Sequence, residues 1–441
     1  AAPRKASVIF FSLSHPKSRR GPAEYVTMQT VRYIATATKA SNRRIEGTMI
    51  NQRMFELGDE PSAIRELFAY GLARKAEIGA ENVFDFSLGN PSVPAPSSVK
   101  EAIIDILEQP AEQVHGYTPA QGAFGVRKAI AESLNRRFNT AYTAENLYMT
   151  VGAAASISIS INALANPEDE FVVIAPYFPE YKVWIENAGC VCVETPARVT
   201  DFQLNIEAIE DAITPRTKGV IINSPNNPTG AVYPECDLVE LSNALRRKQD
   251  EYGHAIYLIS DEPYRELAYD GVEVPYLTKY YDNTVVGYSY SKSLSLPGER
   301  IGYLVIPDEL KDSEEVLSAA NVATRILGFV NAPTLQQKVV EKCLNEKTDL
   351  SFYDRNREDL YNGLKECGFE CIKPQGAFYL FVKSPVPNEK EFCEAAKKYN
   401  ILIVPGSSFA CPGYVRLAYC VSHETIVNSL PKFKELAKEY F

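Results

Sequence analysis

An α/β architecture with a mainly parallel sheet is the fold class this 441-residue sequence predicts. Three observations predict it. Short apolar, β-rich runs recur between residues 147 and 306. Helix-period stretches separate most of them. Three successive runs also end in polar, chemistry-bearing residues, and ligands bind along the strand ends of such sheets.

The predicted strands are Leu147–Val151, Phe171–Ala175, Cys190–Glu194, Gly219–Ser224, Ile256–Ser260, Thr284–Tyr290 and Ile301–Ile306. Ala153–Leu164 is helical by its apolar spacing, and so is Pro234–Lys248, where Leu238, Leu241 and Leu245 recur at three and four. Phe124–Phe138 forms a helix ahead of this block, its start loosened by Gly122 and Gly125. After the block one long helical pattern runs from Thr334 to Cys367. A small α+β unit then spans Lys373 to Tyr419: strand Ala377–Val382, helix Asn388–Lys398, and strands Ile401–Val404 and Tyr414–Ala418. Glu424–Glu439 is the last helix. Met49–Phe84 adds helix and enters the large unit through the Gly/Pro-rich link Gly89–Pro96.

Composition narrows the function. Hydrophobic residues make up 45% and charged residues 23%, an ordinary globular balance. A net charge of −10 argues against nucleic acid as a partner, since phosphate backbones need clustered positive charge. The sequence has no apolar run of membrane-spanning length; Phe171–Ala175 is only strand-sized. Nine Cys without a C-x-x-C, and only four His, argue against a disulfide framework or a zinc site and for an intracellular compartment; no metal is expected. Residues 1–48 differ from the rest, with nine Lys/Arg against two acids and many hydroxyls. That composition suits an organelle transit peptide, or residues foreign to a protein that begins at Met49, and both readings stay open. The location is accordingly cytoplasmic, or a mitochondrion-like organelle if the extension is a transit peptide.

The densest local feature is Ser289-Tyr290-Ser291-Lys292-Ser293, continuing to Arg300-Ile301-Gly302. A Lys just past a buried strand, near a cation, can lose its proton and act as a Schiff-base nucleophile, while Ser and Arg suit a phosphate. Alone this is an exposed loop lysine. Two upstream segments change the balance: Asn223-Ser224-Pro225-Asn226-Asn227-Pro228-Thr229-Gly230 and Ser260-Asp261-Glu262-Pro263-Tyr264. Each alone is a turn or cap. Together, three strand ends supply an amide, a carboxylate with a phenol, and an amine, the set a pyridinium cofactor needs.

With these motifs the chain resembles a class I/II pyridoxal-phosphate aminotransferase of fold type I, in the aspartate aminotransferase family, over Met49 to Phe441. The resemblance implies a large domain with a mainly parallel seven-stranded sheet and a small α+β domain. It also implies boundaries: the extension 1–48, an N-terminal part of the small domain at 49–97, a large cofactor-binding domain at 98–335, and the rest of the small domain at 336–441. It makes pyridoxal 5′-phosphate the cofactor. Lys292 would form the Schiff base and shuttle the proton. Asp261 would pair with the ring nitrogen, and Tyr264 and Asn227 would donate to the phenolic oxygen. Ser289, Arg300 and the backbone N–H groups of Gly152, Ala153 and Ala154 would hold the phosphate. Phe178 would stack on the ring. Tyr117, in Gly116-Tyr117-Thr118, would reach the neighbouring subunit's phosphate, implying a homodimer with shared sites. Gly89 would pass close to the substrate carboxylate, with Asn227 beside it, and Arg416 would bind that carboxylate in bidentate fashion.

The implied activity is amino transfer between an L-amino acid and a 2-oxo acid by a ping-pong route, with aspartate and 2-oxoglutarate as the default pair. A C–S β-lyase, a decarboxylase or synthase on the same scaffold, and a non-catalytic cofactor-binding regulatory module are the alternatives. The side-chain specificity is not legible in these motifs.

Overall fold

The structure, a computed structural model, describes residues 50, 51, 54, 55, 58 and 63–441. The expectations for residues 1–48 lie outside the described residues. Residues 63–441 form one compact unit.

Twelve strands are described within it: β1 Phe84–Asp85, β2 Leu147–Thr150, β3 Glu170–Ala175, β4 Val191–Pro196, β5 Thr217–Asn223, β6 Tyr257–Asp261, β7 Thr284–Ser289, β8 Gly302–Val305, β9 Tyr379–Lys383, β10 Ile401–Leu402, β11 Val404–Pro405 and β12 Tyr414–Ala418. Seven build one sheet in the order β2-β8-β7-β6-β5-β3-β4. All pair in parallel except β8, which is antiparallel to both β7 and β2. The linker explains that exception. Residues 290–301 separate β7 from β8 and hold only the four-residue helix Tyr290–Ser293, whereas a parallel return usually carries a full crossover helix. The chain therefore turns back on itself, and Arg300 comes to the same sheet edge as Ser289.

Both sheet faces are covered, so the central strands are apolar at successive positions rather than alternating. On one face Phe171, Val173, Ile221 and Ile259 pack with Ile157, Ile159 and Ile161 of helix Ala153–Leu164. On the other, Val172, Ile174, Val220, Ile222 and Leu258 pack with Leu238, Leu241 and Leu245 of helix Glu235–Tyr252.

A second, smaller sheet is antiparallel, in the order β11-β12-β9. Its core joins Phe84, Phe86 and Val93 from early in the chain to Tyr353, Leu360, Phe378, Phe392 and Phe433 from late in it.

Phe124–Phe138, Ala153–Leu164 and Tyr414–Ala418 form as predicted, and the seven predicted large-sheet strands occur with ends shifted by up to two residues. Three expectations were wrong in detail. The helical pattern Thr334–Cys367 is two helices, Thr334–Lys342 and Leu350–Glu366, because Asp349 caps the second by accepting from Ser351 N–H at 2.9 Å. The single strand Ile401–Val404 is two short ones: Ile401 and Leu402 pair in parallel with Phe84 and Asp85, whereas Val404 and Pro405 pair with Arg416 and Val415 of the small sheet. Ala377 precedes its strand at φ 57°, its carbonyl accepting from the Tyr269 hydroxyl. The helices Glu180–Asn187 and Ser313–Ile326 had no individual expectation.

Candidate active site

Register determines what the sheet edge presents. Asn223 on β5 pairs with Asp261 on β6, which pairs with Gly287 on β7. Two residues further along, Ser289 pairs with Gly302, and Gly302 with Thr150 at the end of β2. An amide, a carboxylate and a hydroxyl thus stand side by side, and the helix that begins at Ala153 starts beside them.

Lys292 sits in the short helix Tyr290–Ser293, which Ser289 caps by accepting from Ser291 N–H at 3.2 Å. Its Nζ donates to the Gly89 carbonyl at 2.8 Å and lies 5.2 Å from the Phe378 ring centroid. Burial lowers its pKa to about 8; Arg300 and Arg416 push the same way and Cys420 opposes them. At pH 7 a pKa of 8 leaves roughly a tenth of the amine neutral, several hundred times the fraction of an ordinary lysine.

Asp261 is buried, and its Oδ2 accepts from the Tyr181 hydroxyl. Its Oδ1 has no partner. Burial raises its pKa to about 7, against the opposing Tyr181 bond and with a contribution from Glu262. An acid in that state gains most from a cationic N–H donor placed at Oδ1. Asn223 braces the same corner: its side-chain N–H donates to the Asp261 carbonyl at 2.8 Å, and its Oδ1 accepts from Asn227 N–H at 2.7 Å. Asn227 Oδ1 accepts from Arg416 at 3.0 Å, which leaves the Asn227 amide N–H₂ as its donor. Tyr264, just after β6, has its hydroxyl 2.8 Å from that of Tyr379.

An anion cradle lies on the other side. Gly152, at φ 101°, caps helix Ala153–Leu164. A side chain there would put its Cβ 3.0 Å from Arg300 Nη2 and 3.5 Å from Ser289 Oγ, so glycine keeps that space open. The first-turn N–H groups of a helix have no intrahelical partner and favour an anion. The guanidinium, the hydroxyl and the backbone at 152–154 are therefore brought together.

Arg416, on β12, is 3% exposed and lies between the rings of Tyr379 and Phe409, with its guanidinium carbon 4.6 and 4.7 Å from their centroids. It donates to Asn227 Oδ1 and, at 2.7 Å, to the Ser87 carbonyl. Its Nε has no partner. No ion pair among the described residues involves it, and burial lowers its pKa from the ordinary arginine value. A cation buried without a counter-charge costs on the order of several kcal/mol, a cost that an incoming carboxylate relieves.

Phe178 is half-buried and packs edge-on against Tyr181 and Trp184. Tyr117 is 95% exposed, apart from this cluster. Gly89 adjoins it through the bond from Lys292. The motifs assign no role to Tyr181, Asn223, Phe378 or Tyr379, although Asn223 opens the segment that ends at Gly230. Tyr181 lies three residues beyond Phe178, and Phe378 and Tyr379 lie within the predicted strand Ala377–Val382, so neighbouring positions were legible and these roles were not.

The residues fit pyridoxal phosphate. Asp261 Oδ1 is an orphaned acceptor for a ring N–H, Gly152 leaves room at an anion cradle, and Lys292, of lowered pKa, feels Arg300 of that cradle and lies 5.9 Å from the Tyr264 ring centroid.

Residues 81–431 match the family model described as aminotransferase class I and II. The aspartate/prephenate aminotransferase of Thermus thermophilus is 33% identical over 356 residues, 78% of this chain and 88% of that protein. The aromatic-amino-acid aminotransferase 2 of Thermococcus litoralis is 29% identical over 86% of this chain and 96% of its own. Among solved structures, an amino transferase from Eubacterium rectale is 52% identical with a TM-score of 0.87, covering 89% of this chain and 100% of that one. Aspartate aminotransferase from Thermus thermophilus with maleate is 30% identical with a TM-score of 0.78, covering 88% of this chain and 100% of that one.

Proposed function

The chain belongs to the class I and II aminotransferases, and from that membership we propose that it moves an amino group between an L-amino acid and a 2-oxo acid by a ping-pong route, with aspartate and 2-oxoglutarate as the default pair. It is an aminotransferase, and its cofactor is pyridoxal phosphate. The observation that carries the reading is the convergence of three groups with bonding capacity to spare: the Lys292 amine, Asp261 Oδ1 and Arg416 Nε.

When bound, pyridoxal phosphate supplies an aldehyde that captures amines and a ring that draws electrons from the substrate's α-carbon. The protein does the rest. Asp261 keeps a proton on the ring nitrogen. Tyr264 and the Asn227 amide donate to the phenolic oxygen, and Phe178 supports the ring face. Ser289, Arg300 and the backbone of Gly152, Ala153 and Ala154 hold the phosphate. Arg416 binds the α-carboxylate near Gly89. Lys292, its pKa lowered to about 8 by burial, would take the substrate's α-proton and hold it on Nζ. Amino acid and oxo acid use the same carboxylate site in turn, which is the ping-pong order. Tyr117, exposed here, serves the cofactor of a second copy in a homodimer. The names of the relatives support both the aspartate default and an aromatic alternative.

The domain boundaries at 97/98 and 335/336 belong to the same proposal. So does a cytoplasmic location; among the described residues no helix is long and apolar enough to cross a membrane.

The test is a panel of amino donors with 2-oxoglutarate. A donor added alone should convert the cofactor stoichiometrically to its amino form, and 2-oxoglutarate should restore the starting spectrum. Steady release of ammonia and pyruvate from cystathionine, with no net conversion by aspartate, alanine or phenylalanine, would identify a C–S lyase instead.

A further inference from the structure

Tyr379 touches more of this site than any role so far assigned to it requires. On the small sheet it pairs with Ala418, and Phe381 pairs with Arg416, so Tyr379 and Arg416 are diagonal neighbours on one face. That register lays the guanidinium over the ring, 4.6 Å from its centroid. The hydroxyl at the far end of the same ring lies 2.8 Å from the Tyr264 hydroxyl. It also presses on the Gly89 loop: a Cβ at Gly89 would fall 2.0 Å from Tyr379 Oη. Gly89 in turn accepts the Lys292 proton donor. One 3%-exposed side chain therefore contacts the cation, the phenol and the loop.

We propose that Tyr379 is a positioning residue that couples the carboxylate site to the cofactor site, its ring holding the Arg416 guanidinium flat and its hydroxyl donating to Tyr264. The inference rests on the roles proposed above for Arg416 and Tyr264. A phenol has one proton to give. If Tyr264 gives its own to the cofactor's phenolic oxygen, its oxygen is left as an acceptor, and Tyr379 is the donor within reach. A donor behind Tyr264 polarises its O–H and strengthens the bond it makes in front. The electrostatics agree in direction. Burial raises both phenols and Arg416 opposes it in both, leaving Tyr379 at about 12 and Tyr264 well above its ordinary value. Cys420 also acts on Tyr379 and Asp261 on Tyr264, and the Lys292 amine faces the Tyr264 ring, 5.9 Å from its centroid. A carboxylate docking on Arg416 offsets the charge above the Tyr379 ring, so substrate binding weakens the donor chain that ends on the cofactor.

The experiment uses the holoenzyme and two variants. Tyr379→Phe keeps the ring and loses the hydroxyl. The pH at which the cofactor's absorbance titrates should rise, in the same direction as in Tyr264→Phe and by less, while succinate, a non-reacting carboxylate, binds within about threefold of wild type. Tyr379→Leu loses the ring as well, and succinate binding should weaken about tenfold, the loss expected for a desolvated cation–π contact. A Tyr379→Phe titration superimposable on wild type would overturn the hydroxyl relay, and it stands as a test even if the Leu variant fails to fold. Wild-type succinate affinity in a folded Tyr379→Leu variant would overturn the ring's role. Arg416→Met separates the two levels: unchanged succinate binding there would remove the carboxylate reading itself, and this proposal with it. Normal loss there with unshifted Tyr379 variants would refute only the coupling.

Discussion

Replacing Arg416 with Met tests the carboxylate assignment most directly. The side chain lies between two aromatic rings and holds two hydrogen bonds, to Asn227 and to the Ser87 carbonyl, so its orientation is set before substrate arrives. Of five N–H groups two are used, and Nε has no partner. Truncating one side of a buried, hydrogen-bonded charge pair costs about 2–5 kcal/mol. At about 1.4 kcal/mol per tenfold, that is a fall in kcat/KM of about 30- to 4,000-fold. Full burial and prior orientation favour the upper half, on the order of a thousandfold. The loss should fall mainly on KM, for amino acids and oxo acids alike, because the carboxylate contact is made in ground and transition states together. Stability should move the other way or not at all. The wild-type apo-protein carries this cation without a counter-charge, and Met supplies similar volume without the charge. Steady-state kinetics with one donor and one acceptor, cofactor titration, and melting of the apo-protein make up the assay. A kcat/KM within about threefold of wild type would refute the reasoning. So would a collapse of melting temperature and cofactor binding, which would mark Arg416 as a structural strut.

Borohydride reduction of the holoenzyme followed by peptide mapping should tag Lys292, whose amine burial lowers to about 8; label on another lysine sinks the assignment. Asp261 titrates near 7 in the folded apo-protein against an ordinary 3.8, so the stability it contributes is full below about pH 4 and is lost as pH rises towards 7. Asp261→Asn should flatten that dependence, leave the apo-protein more stable than wild type above pH 7, and reduce the stabilisation gained on adding cofactor; parallel melting curves from pH 4 to 8 for the two proteins would count against it. Mixing Tyr117→Ala with Lys292→Ala chains should restore part of the activity that each lacks, because one site of the hybrid then holds both wild-type residues; verified hybrids as inactive as their parents would exclude a shared site.

The sequence alone determined the seven strands of the large sheet and two of the helices that pack on it, Ala153–Leu164 and Glu235–Tyr252. Short apolar β-rich runs and a three-and-four spacing are local signals, and strands buried on both faces leave few other readings. It also marked Lys292, Asp261, Asn227 and Arg300, because each follows or precedes a strand at a spacing that only a shared edge makes useful. It misread Thr334–Cys367 as continuous, since apolar periodicity runs across Asp349 and the capping bond that breaks the helix is a feature of geometry. Ile401–Val404 shows the limit of local reading more sharply: four apolar residues divide between two sheets because their partners, Phe84 and Arg416, stand hundreds of residues and a dozen residues away respectively. Tertiary structure alone decided how charge is handled. That Asp261 keeps an unpaired oxygen, that Arg416 is buried without an acid, and that Tyr379 lies beneath it follow from register and from packing between distant segments. A residue's type shows what it can donate or accept, whereas burial and the neighbours that folding supplies decide whether that capacity is already spent.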